Sequence, residues 1–188
     1  MRALWFQSHF VAAALALAVA APARAELRIS DLDVYLNDHE VTVHVVLLGA
    51  LPEGLNEGIQ SGIPAHVRLV IELWHYQRMR PDRILITKTI ERTLAYNIVT
   101  REFKVAALQG ETRPVFTTRD LRDAQRVLSE IRGVKMTPAA TLDPTAVIYV
   151  RVQAETALNG ENTFVARMNG TAEQTERQSD YRTIQRVH

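Results

Sequence analysis

The feature that most constrains this chain is an alternation of apolar and polar residues with a period of two. Leu32, Val34 and Leu36 alternate with Asp31, Asp33 and Tyr35, and beyond Asn37-Asp38 the pattern resumes in Val41, Val43, Val45 and Leu47. Successive side chains of a strand point to opposite faces, so this pattern predicts a β-hairpin with one face in a core. Leu27 and Ile29 stand on the opposite phase, which predicts a bulge near Ser30 that keeps both sets inward.

The same period returns further along. After Ile63-Pro64, Val67, Leu69, Ile71 and Leu73 mark one face of a strand, with Val70, Trp74 and Tyr76 among Arg68 and Glu72 on the other. Beyond Arg80-Pro81-Asp82-Arg83 the chain returns through Ile84, Ile86, Ile90, Leu94 and Tyr96, giving a long hairpin, and a third strand is expected from Arg101 to Leu108. Val147 to Glu155 reads as another strand, with Ile148, Val150 and Val152 inward and Tyr149 and Arg151 outward. Thr163 to Met168 and Tyr181 to Val187 carry weaker strand patterns, separated by a polar stretch, Asn169 to Asp180, that reads as a loop.

Two segments break the alternation. Leu51, Leu55 and Ile59 recur every four residues after a Pro52 suited to a first helical turn, predicting a short helix near 52–62 that Gly62 ends. Leu121, Ala124, Val127, Leu128 and Ile131 form an amphipathic stripe, predicting a helix near 118–132 started by a threonine and stopped by Gly133. Together these predict an antiparallel β-sandwich over residues 26–168 with helices covering part of it, then a polar segment, 169–188, ending in an edge strand.

Residues 1–25 predict a secretory signal peptide. Arg2 precedes an apolar run from Phe10 to Ala21, and Pro22 ends that run before the small side chains of Ala23 and Ala25, with cleavage expected after Ala25. A periplasmic location follows, and no other apolar stretch is long enough for a transmembrane helix. The absence of cysteine excludes disulfides, thiolate metal sites and cysteine nucleophiles, so stability must come from the core.

Two parts of this sequence resemble a bacterial family of exported proteins classed as a domain of unknown function. They are the stretch from Ala50 to Pro64 and, after a basic hairpin, the stretch from Thr93 to Val105 with its Tyr96-Asn97 and Thr100-Arg101 pairs. The likeness spans about Leu27 to Leu158. It implies an exported, periplasmic, proteobacterial protein, and it carries no activity to transfer. Members of the family end in a Trp-rich strand after a Leu-Pro motif, where this chain has Leu158-Asn159-Gly160 and a polar tail.

Little in the sequence points to catalysis. There is no Gly-x-Ser-x-Gly elbow, and His39, His44, His66, His75 and His188 lack metal-site spacing, so no enzyme, metal or cofactor is expected. Asp31, Asp33, Asp38 and Glu40 suit either weak calcium binding or a solvated hairpin edge, the latter being preferred. With 22 Lys plus Arg against 21 Asp plus Glu, and an exported chain, no nucleic-acid partner is expected.

The candidate functional feature is the basic hairpin, where Arg78, Arg80, Arg83 and Lys88 crowd around Trp74, Tyr76 and Met79. Aromatics flanked by arginines suit an envelope protein or an anionic membrane surface. A solvated strand pair with cross-strand charge matching, for instance Arg92 near Glu72, explains the same residues. The functional expectation is a non-catalytic binding or adaptor module. The alternative is a carrier of a small apolar ligand between the sheets, near the glycine-rich segment 54–62.

Overall fold

A computed structural model describes residues 26–36, 39–51, 53–158 and 172–183. The signal peptide with Ala23 and Ala25, the Asn37-Asp38 turn, Pro52, the strand expected at 163–168 and the end of the strand expected at 181–187 lie outside the described residues.

The alternating segments form two antiparallel sheets. The first hairpin is β1 (Arg28–Leu36) and β2 (Glu40–Leu48), paired with a register shift between Ile29 and Asp31, which is the bulge the phase change requires. A short helix, α1 (Glu53–Gln60), follows, and its last turn closes through hydrogen bonds from Gly62 N to Ile59 O and from Ile63 N to Gly58 O. The long hairpin is β3 (Ala65–His75) and β4 (Arg83–Asn97), extended by β5 (Glu102–Gln109) and the short β6 (Phe116–Thr118). Then come α2 (Leu121–Ser129), β7 (Glu130–Pro138), β8 (Val147–Leu158), β9 (Ala172–Gln178) and β10 (Arg182–Thr183).

One sheet has the order β1-β2-β7. The other has the order β10-β8-β3-β4-β5-β6, with β9 also pairing to β8. The inward faces meet in one continuous core that includes Val41, Val43 and Val45 of the small sheet and Leu69, Ile71 and Leu73 of the large one, all essentially without solvent exposure. Each such side chain contributes roughly 1.5–3 kcal/mol of burial free energy. Helix α2 continues the layer of the small sheet, packing its buried Ala124 and Leu128 over β5 and β6.

The structure corrects four expectations. Helix α2 begins at Asp120, whose carboxylate accepts from Arg122 N at 2.7 Å, and it ends at Ser129 rather than running to 132. Gly133 does not stop it. That glycine lies inside β7, at φ +72°, where the register with β2 shifts between Val43 and Val45. Strand β7 escapes the alternation rule because its irregularities place the inward residues Ile131, Val134 and Met136 at unequal spacings.

The polar stretch expected to be a loop contains β9. Its sequence offers hardly any apolar face to read. Instead its inward side chains hold the backbone of β1: Leu27 N donates to Glu173 Oε2 at 2.8 Å, and Arg177 Nη1 donates to Ile29 O at 3.0 Å and to Ser30 O.

The fourth correction concerns Arg92. Register places it opposite Val67, while Glu72 faces Thr87, so the two are not cross-strand neighbours. Arg92 is 2% exposed, on the inward face beneath the C-terminus of α2. Its Nε and Nη2 grip the Glu111 carboxylate, and its Nη1 donates to Val127 O at 2.6 Å and Glu130 O at 2.8 Å. The last carbonyls of a helix lack intrahelical partners and carry the negative end of its dipole, so a buried guanidinium there is well compensated. Burial alone would raise Glu111, but the hydrogen bonds and charge of Arg92, with Arg113 beyond, hold its carboxyl below the ordinary range.

Candidate functional site

The residues expected at the tip of the long hairpin fall into two groups. Register sets Trp74 beside Tyr149 of β8 and Glu72 beside Arg151, all on the outer face of the large sheet. There the rings of Trp74 and Tyr149 stack with centroids 6.0 Å apart and planes 9° from parallel, and the Arg151 guanidinium lies 4.7 Å from the Trp74 ring centroid. The Trp74 Nε1 donates to Glu72 Oε2 at 2.9 Å, and Arg151 Nε approaches Glu176 Oε1 at 3.3 Å.

The cluster grows outward through Tyr181, whose ring meets Tyr149 edge-on at 5.2 Å and Tyr76 at 5.1 Å. Tyr76 N donates to Val147 O at 2.9 Å, extending the β3–β8 pairing past the end of β3. Four aromatic rings from three separated segments therefore meet at one end of the sheet.

The turn itself, residues 76–82, is fastened by Asp82. Its Oδ1 accepts from Gln77 N at 2.9 Å and its Oδ2 accepts from the Tyr149 hydroxyl at 2.9 Å. This carboxylate is thus directed back into the cluster. Beyond it, Arg78, Met79 and Arg80 are exposed, Met79 at 91%. Among the described residues, none of Arg78, Arg80 and Arg83 forms an ion pair.

Lys88 does not belong to this group. It pairs in register with the buried Ile71, on the opposite face from Trp74, and its Nζ donates to the Lys135 carbonyl of β7. The even-numbered residues of β4 face inward as far as Ile86, and the register shift between Leu73 and Trp74 then moves Ile84 outward beside Trp74. Sequence reasoning placed Tyr149 and Arg151 on an outer face but did not connect them with the hairpin. The missing step was that β8, not β4 alone, flanks β3. Asp82 carried no signal beyond being a charge in a turn, and Tyr181 none beyond opening a weak strand pattern.

The phenol of Tyr149, 3% exposed, is pushed up to about 12 by burial, with further contributions from the hydrogen bond and charge of Asp82. An unfolded tyrosine titrates near 10, so the folded protein keeps a proton that the unfolded chain has released. The stability this phenol confers is complete below pH 10 and is lost as pH rises from about 10 to about 12, in total roughly 3 kcal/mol. Urea unfolding at pH 8 and pH 11 is expected to show about half of this loss in the native protein and a smaller loss in Tyr149→Phe. Equal losses in the two proteins would refute the raised titration of this phenol.

A second concavity, of about 410 Å³, lies at the Arg92–Glu111 pair and is bordered by Arg113, Arg126, Val127 and Arg132. Its charges are largely engaged internally: Arg126 pairs with Asp123 at 3.1 Å and Arg132 with Glu130 at 2.9 Å. Among the described residues no group of three His, Asp or Glu side chains is gathered in a way that would hold a metal ion. No helix among them is long and apolar enough to cross a membrane.

The groups at the hairpin end are ring faces, free guanidinium groups and one exposed thioether, which is a chemistry of surface recognition. No curated protein and no solved structure matches the chain. The sandwich core, helix α1 with its closing glycine turn, the long hairpin and β8 all fall within residues 24–159, which match the family described as a domain of unknown function, DUF4390, and the chain belongs to that family.

Proposed function

We propose that this protein is an exported, periplasmic, non-catalytic binding or adaptor module that contacts an envelope protein or a membrane surface through the end of its long hairpin. The observation that carries this reading is the contrast within that end: Asp82 is tied inward by two donors, while Arg78, Arg80 and Arg83 have no counter-ion among the described residues and flank the exposed Met79. Burying exposed apolar surface and pairing arginines with complementary groups of a partner is how interface hot spots gain their energy. The aromatic cluster behind the turn supports this, because rigid rings limit the entropy lost when the end is immobilised. A carried apolar ligand has less support, since the side chains facing one another between the sheets already pack together as one core.

The test is photo-crosslinking in cells from a probe replacing Met79. Capture of one dominant species is expected, and it should be lost when Arg78, Arg80 and Arg83 are changed together to glutamate. Capture that is unchanged by the triple reversal would sink the proposal. All three positions are exposed, so the reversal is expected to leave the melting temperature within about 2 °C of the native value.

A further inference from the structure

We infer that the partner at this end is an anionic phospholipid surface, with Met79 entering the bilayer interface and the arginines resting on phosphate groups; this rests on the binding role proposed above. Three features favour lipid over a protein partner. The first is shape. A stable protein interface involves roughly 20–30 residues a side, whereas the exposed apolar and cationic groups here sit on one turn and the ends of its two strands. Such a narrow, convex end suits a soft, deformable surface better than a flat rigid one.

The second feature is the order of side chains along the turn. The most exposed apolar residue, Met79, is at the apex, with Arg78 and Arg80 on either side. One step behind stand Arg83, Tyr76 and Tyr181. An apolar tip, then guanidinium groups, then tyrosines reproduces the layering of acyl chain, phosphate and headgroup region, where long basic side chains extend toward phosphates and tyrosine rings are enriched.

The third feature is charge. The one carboxylate in the turn, Asp82, faces the Tyr149 hydroxyl and Gln77 N rather than the outside. The cations are therefore presented outward while the carboxylate of the turn itself is directed inward. Each arginine at an anionic surface strengthens partitioning by about fivefold at physiological salt.

The experiment is vesicle flotation of the full chain and of two variants of it, Arg78→Glu/Arg80→Glu/Arg83→Glu and Met79→Ser, so that any contribution of residues 1–25 is common to all three. Vesicles of phosphatidylcholine alone are compared with vesicles containing phosphatidylglycerol. Native protein is expected to bind the anionic vesicles, with partitioning reduced at least 100-fold by the triple reversal, severalfold by Met79→Ser, and weakened by salt. Binding that ignores phosphatidylglycerol, or that survives the triple reversal, overturns the lipid inference, as does no binding at all. If crosslinking from position 79 then captures an envelope protein, the binding role stands with a different partner; if it captures nothing, both fail.

Discussion

Replacing Arg92 with alanine is expected to lower the unfolding free energy by about 3–5 kcal/mol, a large part of the roughly 5–15 kcal/mol that holds a domain of ordinary stability. The guanidinium is buried and makes two hydrogen bonds to the Glu111 carboxylate and two to the carbonyls of Val127 and Glu130, the first of which Arg113 also reaches at 3.4 Å. Removing it takes the donors from a half-buried carboxylate and from Glu130 O, and leaves Val127 O with the longer bond from Arg113. Glu111→Gln should cost less, about 1–3 kcal/mol, because the guanidinium keeps its carbonyl partners. Lysine at 92 keeps the charge but not the planar fork, and is expected to fall between the two. Urea denaturation of the three variants checks the order. A loss below 1 kcal/mol for Arg92→Ala would show that the seam between α2 and β4 can rearrange without it.

Gly110→Ala is expected to destabilise the fold by about 3–5 kcal/mol, against roughly 1–2 kcal/mol for Gly133→Ala. Both glycines have a positive φ, +84° and +72° respectively. They differ in what surrounds them. A Cβ at Gly110 would lie 1.9 Å from Thr89 O, and backbone of β4 cannot step aside as a side chain can, whereas nothing lies within 4 Å of a Cβ at Gly133. The conformational penalty is common to both, so the difference between the two melting curves isolates the steric part. Gly110 also turns the chain directly before Glu111, so forcing it outward draws the carboxylate from Arg92. Equal losses at the two glycines would mean that β4 and the end of β5 separate freely.

Much of the sandwich was legible in the sequence because a two-residue period with one dry face admits few alternatives. The bulge near Ser30 followed from a change of phase alone. The failures have equally specific causes. Arg92 shares the parity of Ile90 and Leu94 and so was marked as inward by the same rule that placed those residues, but its charge led to a surface reading. Lys88 has the same parity. Ile84 was assigned inward by counting back along the strand, which a bulge near Leu85 invalidates.

Strands β7 and β9 were hidden for opposite reasons, one because its apolar spacing is irregular and the other because polar bonds to a distant backbone replace apolar burial. For the candidate site, the hairpin supplied Trp74, Tyr76, Met79 and three arginines. The partners that organise them, Tyr149, Arg151 and Tyr181, depend on which strand lies next to β3, and local pattern does not specify long-range pairing.

The bonds from β9 to β1 have a consequence for the order in which the molecule is assembled. The strand that opens the described chain is held by Glu173 and Arg177, partners 146 to 148 positions later, so these are among the most non-local contacts in the protein. Contacts of such sequence separation carry a large loop-closure entropy and form late. A chain emerging from its N-terminus can zip the β1–β2 hairpin at once, yet that hairpin waits with one margin unsealed until nearly all the remaining residues have arrived. The polar strand β9 therefore works as a clasp, and its late closure makes the seam between β1 and β9 the natural place for the molecule to begin to open.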